Sequence, residues 1–356
     1  MRLTSFICAF LASWSLYGAP PNILLLVADD LGWADVGFNG GTTIPTPNID
    51  RLAKEGVRLT DFRACPMCSP TRAGLLTGRY PHRFGMMRAV VPPWSTYGLP
   101  QEEQTLPEML AENGYAHRGI IGKWHLGQTS PKHLPRQHGF TRFFGHYNGA
   151  IDYFTHEREG ELDWHDNATP VREAGHATPL LADRAVAFIA SAPADAPWLL
   201  YLPFNAPHSP LQAEAEDLEA MAHIKIKYRR TYAAMVHGMD RAIGRVLQAV
   251  ANRGQSENTL VWFCSDNGGI RSLGSNGPWR GGKLSVYEGG TRVAAAVRWP
   301  KGGLTGGKTF SQRCGYIDIL PTVLAATQTP VPPRLDGINL LPAWTEKSTL
   351  PKRPWF

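Results

Sequence analysis

Cysteine is scarce in this chain, with five among 356 residues. Cys8 lies in the first apolar segment, leaving Cys65, Cys68, Cys264 and Cys314 for the rest. Four cysteines over such a length make no disulfide framework. None stands with histidine at the spacing of a zinc site. Other absences narrow the field. There is no G-x-S-x-G of a strand-to-helix nucleophile, and Gly281-Gly282-Lys283-Leu284 lacks the remainder of a phosphate-binding loop. No basic block is interleaved with aromatics, so the formal charge of +6 argues for no nucleic-acid partner. It is compatible with a polyanionic substrate without identifying one. There is no internal repeat and no low-complexity block, and 43% hydrophobic with 19% charged residues is a globular composition.

Beyond the N-terminus no segment is long and apolar enough to span a bilayer. Met1-Arg2 gives a charged start, Phe6 to Leu16 is mostly apolar, and small residues follow at Ser15, Gly18 and Ala19. That order reads as a secretory signal over residues 1–19, with the cleavage site open. A membrane anchor or a buried first strand are the alternatives. The signal implies a secreted or periplasmic protein, or one in a lysosomal-type lumen, without stable membrane insertion once it is removed.

What is present is an alternation of buried strands and helices. Asn22 to Ala28 is a continuous apolar run that ends in Asp29-Asp30. Such runs are strands covered on both faces. A helix follows, with Asn48 as N-cap and Gly56 as stop. Thr105-Leu106-Pro107-Glu108 opens another as a capping box. Gly119 to Gly122 is a strand leading to Lys123 and His125. Thr178 caps a helix to about Ser191. Trp198 to Leu202 is a strand running on to Asn205 and His208. A long amphipathic helix carries Tyr232, Met235, Met239, Ile243, Val246, Leu247 and Val250 on one side. Thr259 to Cys264 is a strand ending in Ser265-Asp266-Asn267-Gly268. Residues 146–177 and 267–290 read as loops. The pattern predicts an α/β fold with a large, mostly parallel sheet flanked by helices. Ligands of such sheets bind beyond the carboxyl ends of the strands, so one edge would gather all four polar strand endings.

Cys68-Ser69-Pro70-Thr71-Arg72, continued by Leu75-Leu76-Thr77-Gly78-Arg79, is the most informative stretch. Pro70 suits the first turn of a helix, placing Cys68 at a helix N-terminus where an anion is favoured. Arg72, four residues on, shares that face. The plain alternative is a buried cysteine beside an ordinary helix. Asp29, Asp30, Asp266 and Asn267 offer only oxygen, which suits Ca²⁺ or Mg²⁺ better than zinc. Each pair alone is also a good turn sequence. Lys123 and His125 share a face if their strand continues, against a solvated lysine and a satisfied core histidine. His208, in Pro207-His208-Ser209-Pro210, and Lys283, in a glycine-rich loop, have equally plain structural readings.

Taken together these residues resemble the type I sulfatase family of the alkaline phosphatase superfamily. The resemblance covers about Asn22 to Trp344, anchored by Val27 to Trp33, Cys68 to Arg79, Gly122 to Gly127, His208 and Ser265 to Gly269. Asp152 to Glu157 and Trp279 to Gly290 are most similar to arylsulfatase B-like enzymes, the N-acetylgalactosamine-4-sulfatases, although many bacterial polysaccharide sulfatases share them. The resemblance implies that Cys68 is oxidised to formylglycine by a formylglycine-generating or an anaerobic sulfatase-maturing enzyme. It implies one calcium ion held by Asp29, Asp30, Asp266 and Asn267 with residue 68 in its ligand set. Hydrated residue 68 would attack sulfur, with Asp266 taking the proton and Arg72 and Lys123 orienting the hydroxyl. Lys283 would grip the sulfate, His208 would protonate the leaving alcohol, and His125 would release the sulfate.

The resemblance thus implies a sulfuric ester hydrolase acting on a sulfated carbohydrate, with galactosamine 4-O-sulfate as the first candidate. A phosphoester or phosphonate monoester hydrolase on the same fold is the alternative. A non-catalytic binder of sulfated glycans is the other, if Cys68 stays a thiol. The catalytic domain is expected over residues 20–345, with residues 346–356 the start of a small C-terminal antiparallel subdomain that the chain cuts short.

Overall fold

A computed structural model describes residues 18–87, 89–345 and 348–356. The expected signal segment, with Cys8, falls almost wholly on residues 1–17 and so lies outside the described residues. The core is a ten-stranded sheet. Its strands are β1 (Asn22–Ala28), β2 (Val57–Leu59), β3 (His117–Lys123), β4 (Arg142–His146), β5 (His165–Asp166), β6 (Thr169–Pro170), β7 (Trp198–Pro203), β8 (Thr259–Ser265), β9 (Ala295–Arg298) and β10 (Lys308–Phe310). Their order across the sheet is β10-β2-β9-β8-β1-β7-β3-β4-β5-β6. The run β8-β1-β7-β3-β4 is parallel throughout. Every residue of β1, β7 and β8 is buried, as expected of strands covered on both faces.

Six helices support the sheet and the site: α1 (Pro47–Glu55), α2 (Cys68–Thr77), α3 (Leu106–Ala111), α4 (Ala177–Ser191), α5 (Lys227–Asn252) and α6 (Ile319–Ala326). Two apolar layers result. One packs α2, α3 and α6 against the side of the sheet bearing Leu25, Tyr201 and Trp262. The other packs α4 and α5 against the side bearing Leu24, Leu200 and Phe263. The stripe predicted on α5 is buried at Tyr232, Met235, Met239, Ile243, Val246 and Val250, while Leu247 is half-buried. No helix among the described residues is long and apolar enough to cross a membrane.

Several local expectations need correction. α1 is entered through Thr46 and Pro47 rather than capped by Asn48, whose side chain donates instead to Asp240 Oδ2 at 2.8 Å. α4 is capped by His176: its Nδ1 accepts from the Thr178 amide at 3.2 Å, because His176 is extended while Thr178 is already helical. The capping box at Thr105 and Glu108 is present as expected. Residues 146–177 are not wholly irregular: β5 and β6 extend the sheet in antiparallel pairs, aided by the Arg142–Asp166 ion pair. Strands of two residues are too short to show a period in sequence.

His138 sits in the core beside Trp124, with ring centroids 5.7 Å apart and neither imidazole nitrogen hydrogen-bonded. Burial, reinforced by His133, lowers its pKa to about 4. The unfolded chain therefore takes up this proton near pH 6.5 while the native state refuses it until about pH 4. Stability falls as pH drops through that window. His138→Phe keeps an aromatic ring beside Trp124 and removes the proton, and should reduce the pH slope of stability by about one proton. Urea unfolding at pH 7 and pH 5 measures it, and equal slopes for both proteins would refute this assignment.

Candidate active site

The sheet register brings distant sequence to one edge. Ala28 pairs with Ser265, and the Asp266 amide donates to the Ala28 carbonyl at 2.9 Å. The next residues, Asp29 and Asp30, therefore emerge beside Asp266 and Asn267. On the other side of β1, Val27 pairs with Pro203, and the Asp29 amide donates to the Ala206 carbonyl at 3.0 Å. β7 in turn aligns β3, whose last residue is Lys123. The four predicted strand endings meet as the crossover topology requires.

Helix α2 points its N-terminus at this edge. Cys68 is its first residue, Met67 the extended N-cap, and Gly78 closes it in the left-handed conformation, φ 64°. All ten residues of α2 are buried. Cys68 Sγ lies 3.5 Å from Asp29 Oδ1, and burial, with Asp266 and Asp29 adding their negative charge, pushes the thiol pKa up. Ser69 fixes the turn between helix and strand end: its hydroxyl donates to the His125 carbonyl at 2.9 Å and accepts the Val91 amide at 3.0 Å.

Arg72 shares the Cys68 side of α2, yet its guanidinium is turned to Asp266, donating to Oδ2 from Nε at 3.1 Å and from a terminal nitrogen at 2.8 Å. It also donates to the Lys123 carbonyl at 3.1 Å and lies 3.5 Å from Asp29. The Lys123 ammonium pairs with Asp29 Oδ2, both fully buried. Burial would raise the Asp29 pKa, but Lys123, His208 and Arg72 outweigh it and hold this carboxyl well below its ordinary value. Asp266 goes the other way. Burial and the neighbouring Asp29 raise it to about 6.

Asp30 adopts the left-handed conformation, φ 66°, and its carboxylate takes Lys283 at 2.7 Å and the Asn267 amide at 2.7 Å. His208 Nε2 stands 3.6 Å from the same carboxylate, while the Ser209 carbonyl, 2.6 Å from Nδ1, makes Nδ1 the protonated nitrogen. The expectation that Lys123 and His125 share a strand face fails: β3 stops at Lys123 and His125 has φ 58°. The imidazole is nevertheless in the cluster, buried under Gly149, where a Cβ would come within 2.6 Å of the ring. Burial, then Lys123 and Arg72, holds it neutral by lowering its pKa well below the ordinary value.

Asp29, Asp30, Cys68 and His208 place ligand atoms within 4.8 Å of one another. Asn267 Oδ1 is buried with no hydrogen-bond partner, and Asp266 Oδ1 reaches the Asp30 amide at 3.3 Å. A buried oxygen without a donor, beside three carboxylates that repel one another, is what a hard cation would relieve. The donor set fits Ca²⁺. Thus all ten predicted residues converge on this edge: Asp29, Asp30, Cys68, Arg72, Lys123, His125, His208, Asp266, Asn267 and Lys283. A cavity of about 610 Å³ elsewhere, lined by Pro21, Asn258 and Trp299, belongs to the opposite end of the strands.

Sequence reasoning missed the residues that brace the cluster. Tyr232 was an apolar position on the α5 stripe, yet its hydroxyl reaches the Asp30–Gly32 turn. Asp35 had no signal at all. Ser265 ties both acidic loops, accepting the Leu31 amide at 3.1 Å and donating to the Asn267 carbonyl at 2.8 Å.

Comparison with known proteins bears on the family and the fold. The family model described as Sulfatase matches residues 21–329. The N-acetylgalactosamine-6-sulfatase of Homo sapiens is 36% identical, over 95% of this chain and 68% of its own. Arylsulfatase A of Homo sapiens is 35% identical, over 97% of this chain and 72% of its own. Among solved structures, Ps i-CgsB in complex with k-i-k-neocarrahexaose superimposes with a TM-score of 0.87 at 39% identity, covering 92% of this chain and 77% of that one.

Proposed function

The chain belongs to the sulfatase family and is a sulfuric ester hydrolase acting on sulfated carbohydrates, and on that premise we propose a formylglycine at position 68, a calcium ion and a galactosamine-type sulfate ester as its working parts. The observation that carries the proposal is the contact of Cys68 Sγ with Asp29 Oδ1, at 3.5 Å, inside a ring of buried opposite charges. Asp29, Asp30 and Asp266 face Arg72, Lys123 and Lys283, three charges of each sign. A divalent cation on the carboxylates would leave the site two charges positive. One sulfate monoester anion would reduce that excess to a single positive charge, which favours ionisation of a hydroxyl within the site.

Asp29, Asp30, Asp266 and Asn267 would hold the calcium, with residue 68 beside it. When bound, the ion supplies a fixed positive charge for a sulfate oxygen. The aldehyde, once hydrated, supplies a hydroxyl nucleophile that a sulfhydryl does not. The other roles belong to the encoded residues. Asp266, whose negative charge acts on Cys68, would take the proton of residue 68, while Arg72 holds Asp266 in place. Lys123 and Lys283, now on carboxylates, have the reach and charge to hold sulfate oxygens. His208, its Nδ1 proton held by the Ser209 carbonyl, would give a proton to the departing alcohol from Nε2 as the doubly protonated imidazolium, which the Asp30 carboxylate 3.6 Å away favours. His125, neutral and with Nδ1 unpaired, can accept a proton from the hydroxyl that remains.

The surroundings support a sugar. Trp94 is 73% exposed on the loop anchored to Ser69 through Val91, and Leu284 is 70% exposed on the loop anchored to Pro66. Exposed apolar groups on loops tied to the start of α2 suit the C–H faces of a pyranose. The departing alcohol we propose is N-acetylgalactosamine or a related sugar. The sulfate position is 4-O by the sequence resemblance, whereas 6-O stands in the name of N-acetylgalactosamine-6-sulfatase. A secreted or periplasmic location and a maturing enzyme complete the proposal.

Paired rates test it. With calcium present, the enzyme from a host that matures residue 68 should release sulfate from 4-nitrophenyl sulfate and from 4-O- or 6-O-sulfated N-acetylgalactosamine. It should act at least about 100-fold more slowly on the matching phosphate ester, a difference of roughly 2.7 kcal/mol in barrier. Dominant phosphate release would replace this reading with that of a phosphoesterase. Retention of the sulfated sugar without release would replace it with that of a binding protein.

A further inference from the structure

The Asp30–Gly32 turn cannot hold itself. Asp30 bears a side chain in the left-handed region, φ 66°, a conformation that persists only when its surroundings impose it. The amides of the turn go to side chains. Asp30 donates to Asp266 Oδ1 at 3.3 Å, Leu31 to Ser265 Oγ at 3.1 Å, and Gly32 to the Tyr232 hydroxyl at 3.0 Å. The first two acceptors stand at and just beyond the end of β8. Tyr232 comes from α5 and ties the turn to the helix layer behind the sheet.

The Tyr232 hydroxyl is itself oriented. Its single proton faces Asp35 Oδ2 at 2.9 Å and the Asp30 carbonyl at 3.3 Å, and the shorter, charged acceptor wins. That leaves an oxygen lone pair for Gly32. Asp35 is fixed in turn by the Ser275 amide at 2.8 Å and by Arg229 at 2.5 Å. Arg229 lies one turn before Tyr232 on α5, with its guanidinium 5.2 Å from the Tyr232 ring centroid. Gly32 shows how closely these groups are seated: a Cβ there would stand 2.4 Å from Asp35 Oδ2 and 2.6 Å from the Ser275 carbonyl. The helix, the 273–275 loop and the turn are thus joined through one hydroxyl.

We infer that Tyr232, oriented by Asp35, is a positioning residue for the cation site: it holds the turn in the conformation that aims the Asp30 carboxylate at Asn267 and Lys283. This rests on the proposal that Asp29, Asp30, Asp266 and Asn267 take a divalent cation. Tyr232→Phe keeps the ring and its packing but leaves the Gly32 amide buried without an acceptor and removes the hydroxyl's bond to Asp35, which Ser275 and Arg229 still hold. The turn then relaxes, and Asp30 is no longer preorganised as a ligand.

Calcium titration calorimetry on the full chain, stripped of metal, reads this directly. Tyr232→Phe should raise the dissociation constant for Ca²⁺ by about 10- to 100-fold, the range for losing a partner that orients a metal ligand. Sulfate release should fall at limiting calcium and return toward the wild-type rate at saturating calcium. Asp35→Asn, which alters the acceptor that orients the hydroxyl, should move affinity in the same direction and decides the matter if Tyr232→Phe does not fold. If wild type binds Ca²⁺ and both variants bind it within twofold, the positioning role is overturned and the cation site stands. A variant that melts earlier with unchanged calcium affinity also overturns it, since Tyr232 would then be structural. No binding to wild type would overturn the cation site and this role with it.

Discussion

A Cys68→Ala variant should lose sulfate release by about 10⁵-fold or more, the scale on which removing a covalent nucleophile acts, while remaining folded. Both halves of that expectation come from the same position. Cys68 is the first residue of a helix whose start is set by Met67 and Pro70 rather than by its own side chain. Among the described residues its Sγ has one polar neighbour within hydrogen-bonding range, Asp29. Replacing the small group at residue 68, aldehyde or unconverted thiol, by a methyl leaves a small void, costing about 1 kcal/mol. The charged network among Arg72, Asp266, Asp29 and Lys123 does not pass through the thiol and stays closed. Rates and urea unfolding on the same preparation separate the two effects. Peptide mass adds the chemical half: active wild type should carry an aldehyde at residue 68. Activity in the alanine variant, or full activity with an intact thiol, would end the formylglycine mechanism.

The buried strands were legible because apolar runs such as Asn22 to Ala28 can hardly be anything else when they stop at paired acids. Their register was not. It is set by backbone pairing between segments more than 200 residues apart, such as Val27 with Cys264. The acidic residues were nevertheless foreseeable, since parallel strands must end on a common edge. Local termini were less so: Thr46 rather than Asn48 stands at the N-cap of α1, and Asn48, already inside the helix, is recruited by Asp240 from α5. Tyr232 shows the deeper limit. Its place in a 3.6-residue stripe correctly implied burial, and burial concealed a hydroxyl that bonds outside the apolar layer. A period reports which face is covered, not which atom at the end of a side chain finds a partner.

Arg72→Ala should be the most destabilising single change at the site, lowering unfolding stability by about 3–5 kcal/mol, the usual cost of removing one partner of a buried ion pair. The side chain is fully buried, and three of its nitrogens are hydrogen-bonded, two to Asp266 and one to the Lys123 carbonyl. Burial alone would weaken its charge, but Asp266 and Asp29 more than reverse that. Without it, Asp266 is left in the interior beside Asp29 with no cation of its own. Arg72→Lys should fall between the two, because an ammonium restores charge but cannot reach Asp266 and the Lys123 carbonyl with one planar fork. Urea unfolding of the metal-free proteins gives the ranking, and a stable Arg72→Ala protein would refute it. The ranking also governs how activity is read. In the Cys-x-Pro-x-Arg signature the cysteine is chemically special, whereas the arginine here is structurally committed to the general-base candidate Asp266. Loss of turnover in Arg72→Ala therefore reports collapse of that carboxylate's setting, and only Arg72→Lys, measured on folded protein, can isolate what the guanidinium gives to the reaction itself.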